Sequence, residues 1–256
     1  MENKLSTEEQ LYCLQYEFET LSEFVTKGYV ERWVHNYIPS QVAQEHIERY
    51  YYACKHTENK KVLDIAGGSG YGTFLLATEG KAKEVCSVDI DESAVRYANL
   101  KYTHFNIDRK VGDAVSYIKD NYYDLIVSFE TVEHLNDYNA FLNNIYQSLK
   151  SNGELIISTP IVSATTTNNI NKFHVIEWSL LDFQHLIKNK FEIKEIYVQN
   201  IYLKSDFKHS LITRIKRKLL SQPHVPREKI AFEKYTGQYQ TNEIVRGYQL
   251  IHCIKK

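Results

Sequence analysis

An α/β fold is what this sequence predicts: a mostly parallel sheet, an antiparallel last strand, a helical N-terminal extension and an insertion before the last strand. Three observations carry that prediction. From residue 61 onward, short apolar runs alternate with amphipathic stretches whose apolar residues recur at three- and four-residue spacing. Glycines stand where the helices should stop. The final strand-like runs, 191–203 and 247–255, are separated by residues 204–246, which carry no strand pattern.

Taken in order, the polar-aromatic first sixty residues predict helices over 8–24 and, after the break at Pro39, over 41–56. The runs KVLDIA (61–66), EVCSVDI (84–90), DLIVSF (124–129) and ELIISTP (154–160) read as buried parallel strands. Helices are predicted between them over 71–79, 92–102 and 138–150, the first stopped by Gly80 and the third by Gly153 after Lys150. A shorter pair, a strand at 110–112 and a helix at 114–119, completes a third βα unit. Ser179 with Asp182 three residues later reads as a capping box opening a helix to about Lys188. The division expected is a helical extension over 1–60 and a domain over 61–256, forming a single structural unit with an insertion at 205–246.

Composition narrows the functional classes. The 256 residues carry 31 Lys plus Arg against 32 Asp plus Glu, a net charge of −1, so nothing global argues for a nucleic-acid partner. Cys13, Cys54, Cys86 and Cys253 form no CxxC and no metal-ligand spacing, which suits a reducing, cytoplasmic setting better than a disulfide framework. The opening MENKLSTEEQ has no basic-then-apolar leader, and no apolar run approaches the roughly 18 residues that cross a bilayer. Neither secretion nor a transmembrane segment is expected.

The stretch VLDIAGGSGYG, 62–72, is a buried strand, a glycine loop and a helix start. Glycine turns the backbone through positive φ and lets a ligand come close, and a helix N-terminus offers unsatisfied N–H groups. A tight turn without a ligand would look the same, so the loop alone decides little. Three later groups strengthen it. Asp89 ends the second run, where a carboxylate can take both ribose hydroxyls; Asp113 follows the third strand, and Phe129-Glu130 close the fourth. In an open α/β sheet such carboxyl ends converge on one crevice. A dinucleotide fingerprint is not met, since counting from Gly68 gives Gly70 and then Thr73. Asp64 would crowd a pyrophosphate, whereas it suits a ligand with an ammonium group, such as S-adenosylmethionine.

With those residues in register, 46–200 resembles the class I S-adenosylmethionine-dependent methyltransferases: VLDIAGGSGYGT, SVDID, VGDA, YYDLIVSFETVEHL and GELIISTP follow one another in the family's order. The resemblance implies a Rossmann-like, seven-stranded methyltransferase sheet, with S-adenosyl-L-methionine as cofactor and S-adenosyl-L-homocysteine as product. It implies Asp64 and Gly68 at the methionine portion, with Ala66, Gly67, Gly70 and Tyr71 completing the loop. It places Asp89 at the ribose with Ile90 beside it, Asp113 with Ala114 at the adenine, and the Phe129 backbone at the methionine end. One departure is Ala66, where many members have their first glycine; Gly67 stands at the position of a frequent cysteine.

Two further segments, HIERY (46–50) and NKFHVIEW (171–178), are similar to methyltransferases of bacterial capsule and O-antigen gene clusters. That likeness implies an oxygen acceptor, a sugar, phosphoryl or phosphoramidate group in a surface-polysaccharide precursor, with Arg49, Tyr50, His174 and Glu177 at the acceptor. A hydroxyl acceptor loses its proton as the C–O bond forms, so it needs a base. Glu130, Glu133, His134 and His174 are the candidates, His134 first because imidazole titrates near neutrality. Glu133-His134 is equally open to a loop-orienting role, and His174 to that of a surface histidine. No HExxH motif and no standout Asp/Asn pair points to a metal, and none is expected. The basic stretch 208–219 reads as an amphipathic helix; an anionic acceptor such as a sugar nucleotide or phosphoglycan ranks ahead of a membrane surface or RNA as its partner, and Arg32, Trp33 and Arg49 could join it. Other readings left open are a small-molecule or RNA methyltransferase and a non-catalytic cofactor-binding partner protein.

Overall fold

Apolar side chains facing both ways make each short run of the central sequence a buried strand, and the polar stretches between them coil into covering helices. The structure, a computed structural model, describes residues 5–27, 34, 40–169, 171–204 and 232–256. The basic stretch 208–219, with Arg32 and Trp33, lies outside the described residues. The chain divides into two compact units, one of Met1–Phe129 with Asp137–Ile156 and Lys255, the other of Glu130–Asn136 with Ile157–Ile254 and Lys256.

The first unit holds α1 (Thr7–Lys27), α2 (Ser40–Cys54), β1 (Lys61–Ile65), α3 (Tyr71–Thr78), β2 (Glu84–Asp89), α4 (Glu92–Lys101), β3 (Ile107–Val111), β4 (Tyr123–Phe129), α5 (Tyr138–Ser148) and the start of β5 (Leu149–Val162). Its strands lie in the order β3-β2-β1-β4-β5. β1 pairs parallel with both β2 and β4, and β2 with β3, in a register that sets Asp64 opposite Ser87 and Val127, and Asp89 opposite Val111. The order reverses between β1 and β4, which opens a crevice at the carboxyl ends of the strands. Helix α1 docks on α4: the Tyr97 hydroxyl donates to Glu17 Oε1 at 2.7 Å, Lys101 pairs with the same carboxylate, and the Tyr16 and Tyr97 rings stack at 4.5 Å.

The second unit holds a 3-10 turn (Val132–His134), the rest of β5, α6 (Leu180–Lys188), β6 (Phe191–Leu203), β7 (Glu233–Lys234), a 3-10 turn (Thr241–Glu243) and β8 (Ile244–Lys255). Its strand order is β5-β8-β6-β7, with β6 and β7 antiparallel. Ile161, Leu180, Val198, Ile201 and Ile244 form its core. Among the described residues no helix is long and apolar enough to cross a membrane.

Several expected elements differ. The helix expected at 114–119 is absent: Asp113 takes the Val115 N–H on its side chain and the Ser116 and Tyr117 N–H groups on its carbonyl, so the turn closes on itself and stops. The third strand begins at Ile107 rather than 110. Helix α5 ends at Ser148, because Leu149 is already extended; Gly153 lies inside β5, and Asn152 beside it takes the left-handed conformation (φ 62°). Among the described residues the sheet has eight strands instead of seven, since β7 adds to β6, and β8 starts at Ile244 rather than 247. The capping box is half made: Ser179 Oγ accepts from Asp182 N, while the Ser179 N–H goes to Thr165 Oγ1.

Candidate cofactor cradle and histidine cluster

The glycine loop needs its glycines for different reasons. A Cβ at Gly67 would stand 2.2 Å from Ser87 Oγ and 3.0 Å from Asp64 Oδ2, so the loop packs directly on the polar ends of β1 and β2. Gly70 (φ 86°) lies against Ala98 of α4, where a Cβ would come within 2.4 Å. Gly68 (φ 54°) has nothing within 4 Å of its Cβ position: its backbone favours glycine while its side-chain space is open. Ala66 also sits in the left-handed region (φ 62°), which explains why glycine suits that position.

Asp89, at the end of β2, locks this loop. Its Oδ2 accepts the Gly68 N–H at 2.8 Å and its Oδ1 the Asp91 N–H at 3.0 Å. Each carboxylate oxygen so bonded retains a lone pair. Ile90, directly after it, is 67% exposed, an apolar surface on the rim of the same strand end. Asp113 is exposed after β3, its Oδ1 holding the Val115 N–H, with Ala114 half-buried beside it. Helix α3 begins at Gly70 with no side-chain cap on its first turn, and Tyr71 opens it.

Asp64 is almost fully buried, 1% exposed. The Thr73 hydroxyl donates to its Oδ2 at 2.6 Å and the Tyr50 hydroxyl to its Oδ1 at 3.1 Å. Burial pushes this carboxyl up to about 6 against the opposing pull of those two hydrogen bonds; Asp89 adds to the rise and Arg109 resists it. A cation beside it would relieve that cost. The Tyr50 ring packs edge-on against Tyr71 and Phe129, with centroids at 5.5 and 4.9 Å. Arg49 and Tyr50, expected at the acceptor, are both buried within the first unit, where Tyr50 orients Asp64.

Sequence reading missed this supporting network. Thr73 sits nine residues from Asp64, on the exposed-looking side of a short helix pattern, and Tyr50 belongs to a helix before the first strand. Arg109, whose guanidinium donates to the Tyr102 carbonyl at 2.7 Å and lies near Gly70, carried no signal beyond its charge.

The four candidate bases lie together in the second unit. Glu130 (φ 51°) is held in the left-handed region, its carboxylate accepting from Ser158 Oγ at 2.7 Å. Glu133 is fully buried and accepts from Thr159 Oγ1 at 3.0 Å. Its carbonyl takes the Val175 N–H at 2.7 Å, which ties the 3-10 turn to the loop carrying His174. The His134 and His174 rings meet edge-to-face with centroids 4.8 Å apart. His134 Nδ1 faces the Phe173 carbonyl at 3.1 Å; His174 Nδ1 faces the Glu177 carboxylate at 2.5 Å, and the Asn171 amide nitrogen stands 2.8 Å from its Nε2. Glu177, expected at the acceptor, is thus the partner of His174.

A strand-end carboxylate fixed on a glycine loop, a left-handed glycine with open space and a buried carboxyl at the end of the neighbouring strand are joined by sequence likeness. Residues 56–216, more than half of the chain, match the methyltransferase domain family. The chain belongs to that family. This methyltransferase-domain chain is 29% identical over 140 residues to a probable S-adenosylmethionine-dependent methyltransferase of Mycolicibacterium smegmatis, an alignment covering 53% of each. It is 32% identical over 98 residues to the malonyl-[acyl-carrier protein] O-methyltransferase of Acetivibrio thermocellus, covering 38% of this chain and 35% of that one. The chain thus spans about half or less of the length of these curated relatives. Among solved structures, the N-methyltransferase NodS of Bradyrhizobium japonicum, in complex with S-adenosyl-L-homocysteine, has a similar fold: TM-score 0.58 at 13% identity, covering 95% of this chain and 98% of that one.

Proposed function

We propose that this chain is an S-adenosylmethionine-dependent methyltransferase that methylates an oxygen of a sugar, phosphoryl or phosphoramidate group in a surface-polysaccharide precursor. The cradle fits the donor on its own terms. Asp89 has carboxylate lone pairs left for a ribose diol, Ile90 an apolar face for the adenine, with Asp113 and Ala114 on the same rim. Gly68 offers backbone and open space, and Asp64 a buried carboxylate for the ammonium group. When bound, the donor supplies a sulfonium whose methyl group is open to in-line displacement.

The remaining work falls to the protein. Transfer needs the acceptor oxygen about 3–3.5 Å from the methyl carbon and shielded from water. It also needs somewhere for the hydroxyl proton to go. The single observation that carries an oxygen acceptor is the His134–His174 pair. Each imidazole has Nδ1 on an oxygen that can only accept, the Phe173 carbonyl or the Glu177 carboxylate, so Nδ1 carries a hydrogen and in the neutral ring Nε2 is the nitrogen with the lone pair. That is the form in which an imidazole takes a proton. The sugar or phosphoryl class rests on the likeness of segments 46–50 and 171–178 to capsule and O-antigen methyltransferases. The four free thiols, Cys13, Cys54, Cys86 and Cys253, suit a reducing, cytoplasmic setting.

The test is methyl transfer from labelled donor to a panel of sugar nucleotides and phosphosugars. His134→Ala is expected to keep cofactor affinity and to lose about 10²–10⁴-fold in turnover on the active acceptor. Near-normal turnover in that variant would leave His134 a loop-orienting residue only.

A further inference from the structure

We propose that Glu133, His134 and His174 form a binding site for a divalent transition-metal cation of the zinc type. Ligand atoms from the three side chains all lie within 4.8 Å of one another, and all three belong to the second unit. Two imidazoles and one carboxylate make a mixed nitrogen–oxygen donor set, which zinc and its neighbours take readily. Magnesium and calcium prefer oxygen ligands throughout.

Proximity alone would be weak; the outer hydrogen bonds make the site. Metal-ligating histidines characteristically donate their other ring N–H to a carboxylate or a backbone carbonyl, which fixes the tautomer and aims the lone pair. Both forms occur here. His134 donates Nδ1–H to the Phe173 carbonyl at 3.1 Å, and His174 donates Nδ1–H to Glu177 at 2.5 Å. The Asn171 amide, 2.8 Å from His174 Nε2, donates to that lone pair and would give way to a cation. The third ligand, Glu133, is a fully buried carboxylate steadied by the Thr159 hydroxyl. Burying a carboxylate is costly, and a dication beside it offsets the cost. The backbone holds the parts in register: Glu133 O accepts from Val175 N, Asn169 Nδ2 donates to His174 O, and Thr166 bridges to Glu177.

Three protein ligands leave coordination positions open, the arrangement of catalytic rather than structural zinc. An oxygen bound there, the acceptor hydroxyl in the function proposed above, has its pKa lowered, and with both Nε2 lone pairs on the cation its proton leaves to solvent rather than to an imidazole. That consequence rests on the proposed function; occupancy of the site does not.

The experiment uses the whole chain, stripped with chelator, without cofactor or acceptor. Co2+ is followed by visible absorption and Zn2+ by calorimetry. The expected result is one site per chain with the intense absorption of low-coordinate Co2+, displaced by Zn2+ and unaffected by excess Mg2+. His134→Ala and His174→Ala each weaken it by roughly 100-fold or more, and Glu177→Gln, a positioning change, by roughly 10–100-fold. Folding of the variants is checked by thermal melting. Imidazole nitrogen resonances of the unaltered protein give a second reading, with two histidines expected to shift on adding Zn2+. Stoichiometry and affinity unchanged in the His134→Ala/His174→Ala double variant, or Mg2+ competing on equal terms, would overturn the site. No Co2+ or Zn2+ binding by the unaltered chain would also overturn it while leaving methyl transfer to be judged by its own assay.

Discussion

Asp64 and Ala66, two residues apart, each carry a cost that the fold imposes on the cofactor cradle. Burial holds the Asp64 carboxyl at about 6, so between the ordinary aspartate value and that pH the folded chain binds the proton more tightly than the unfolded one. For this group alone, stability therefore falls as pH rises toward 6. A ligand ammonium favours the ionised form, so cofactor affinity should move the other way. Calorimetric titrations are expected to show binding weakening as pH drops below about 6, by up to about tenfold per pH unit, and Asp64→Asn should flatten that dependence. A wild-type affinity independent of pH between 5 and 7 would remove Asp64 from the ammonium group. Ala66 is a simpler case. Left-handed backbone costs a non-glycine residue roughly 1–2 kcal/mol, and glycine returns about 0.4–1 kcal/mol of that through its looser unfolded state. Ala66→Gly is thus expected to raise stability by about 0.5–1 kcal/mol in urea unfolding, with an unchanged denaturant slope; a lower midpoint would show that the Cβ packs usefully. The alanine was visible in the sequence as a departure from a glycine position, but its φ was not, because nothing local in a strand-to-loop junction reports the sign of a dihedral.

At the level of elements, α2 packs on α3 through Tyr50, the same residue that donates to Asp64. A Cβ on Gly72 would stand 2.0 Å from Tyr50 Cζ, in the middle of a buried ring that also touches Tyr71 and Phe129. Gly72→Ala gains helix propensity but must displace that ring, and overpacking of this kind costs roughly 1–3 kcal/mol. We expect a net loss of stability together with weaker cofactor binding, since Tyr50 donates to Asp64. Unchanged melting would mean that α2 shifts without consequence. The βα units were legible because their signals are local: apolar runs of strand length, Gly80 after α3, Asp91 taking the Ser93 and Ala94 N–H groups at the start of α4. The failures are equally physical. Residues 114–119 have helical spacing, yet Asp113 absorbs the first N–H groups into its own turn. Asn152-Gly153 is a bend signal that sits inside β5 rather than after α5. β7 is two residues long, too short for any periodicity to mark.

Across the whole chain, the two sets of candidate groups differ in how far the sequence could reveal them. The cradle residues fall within one stretch, 64–129, in the order of the strands that carry them, so the pattern of loop glycines and strand-end acids made them readable. Glu130, Glu133 and His134 follow closely after Phe129, so the same strand end marks them. Their assembly with His174 and Glu177, some forty residues later, depends on the Glu133 carbonyl capturing the Val175 and Ile176 N–H groups, which no spacing rule anticipates. That long-range closure turns isolated candidate bases into a cluster in which both imidazoles turn Nδ1 toward an oxygen acceptor.

The central claim is that the crevice at the ends of β1, β2 and β3 receives S-adenosylmethionine, with Asp89 on the ribose. Titration calorimetry on the unaltered chain and on Asp89→Asn tests it most directly, with S-adenosyl-L-homocysteine and NADH as the alternative ligands. The prediction is one site per chain for S-adenosylmethionine and for S-adenosyl-L-homocysteine, none for NADH, and a loss of about tenfold or more in Asp89→Asn, where hydrogen bonds to a charged acceptor are given up. Equal affinity in Asp89→Asn, or heat from NADH in place of the sulfonium donor, would contradict it.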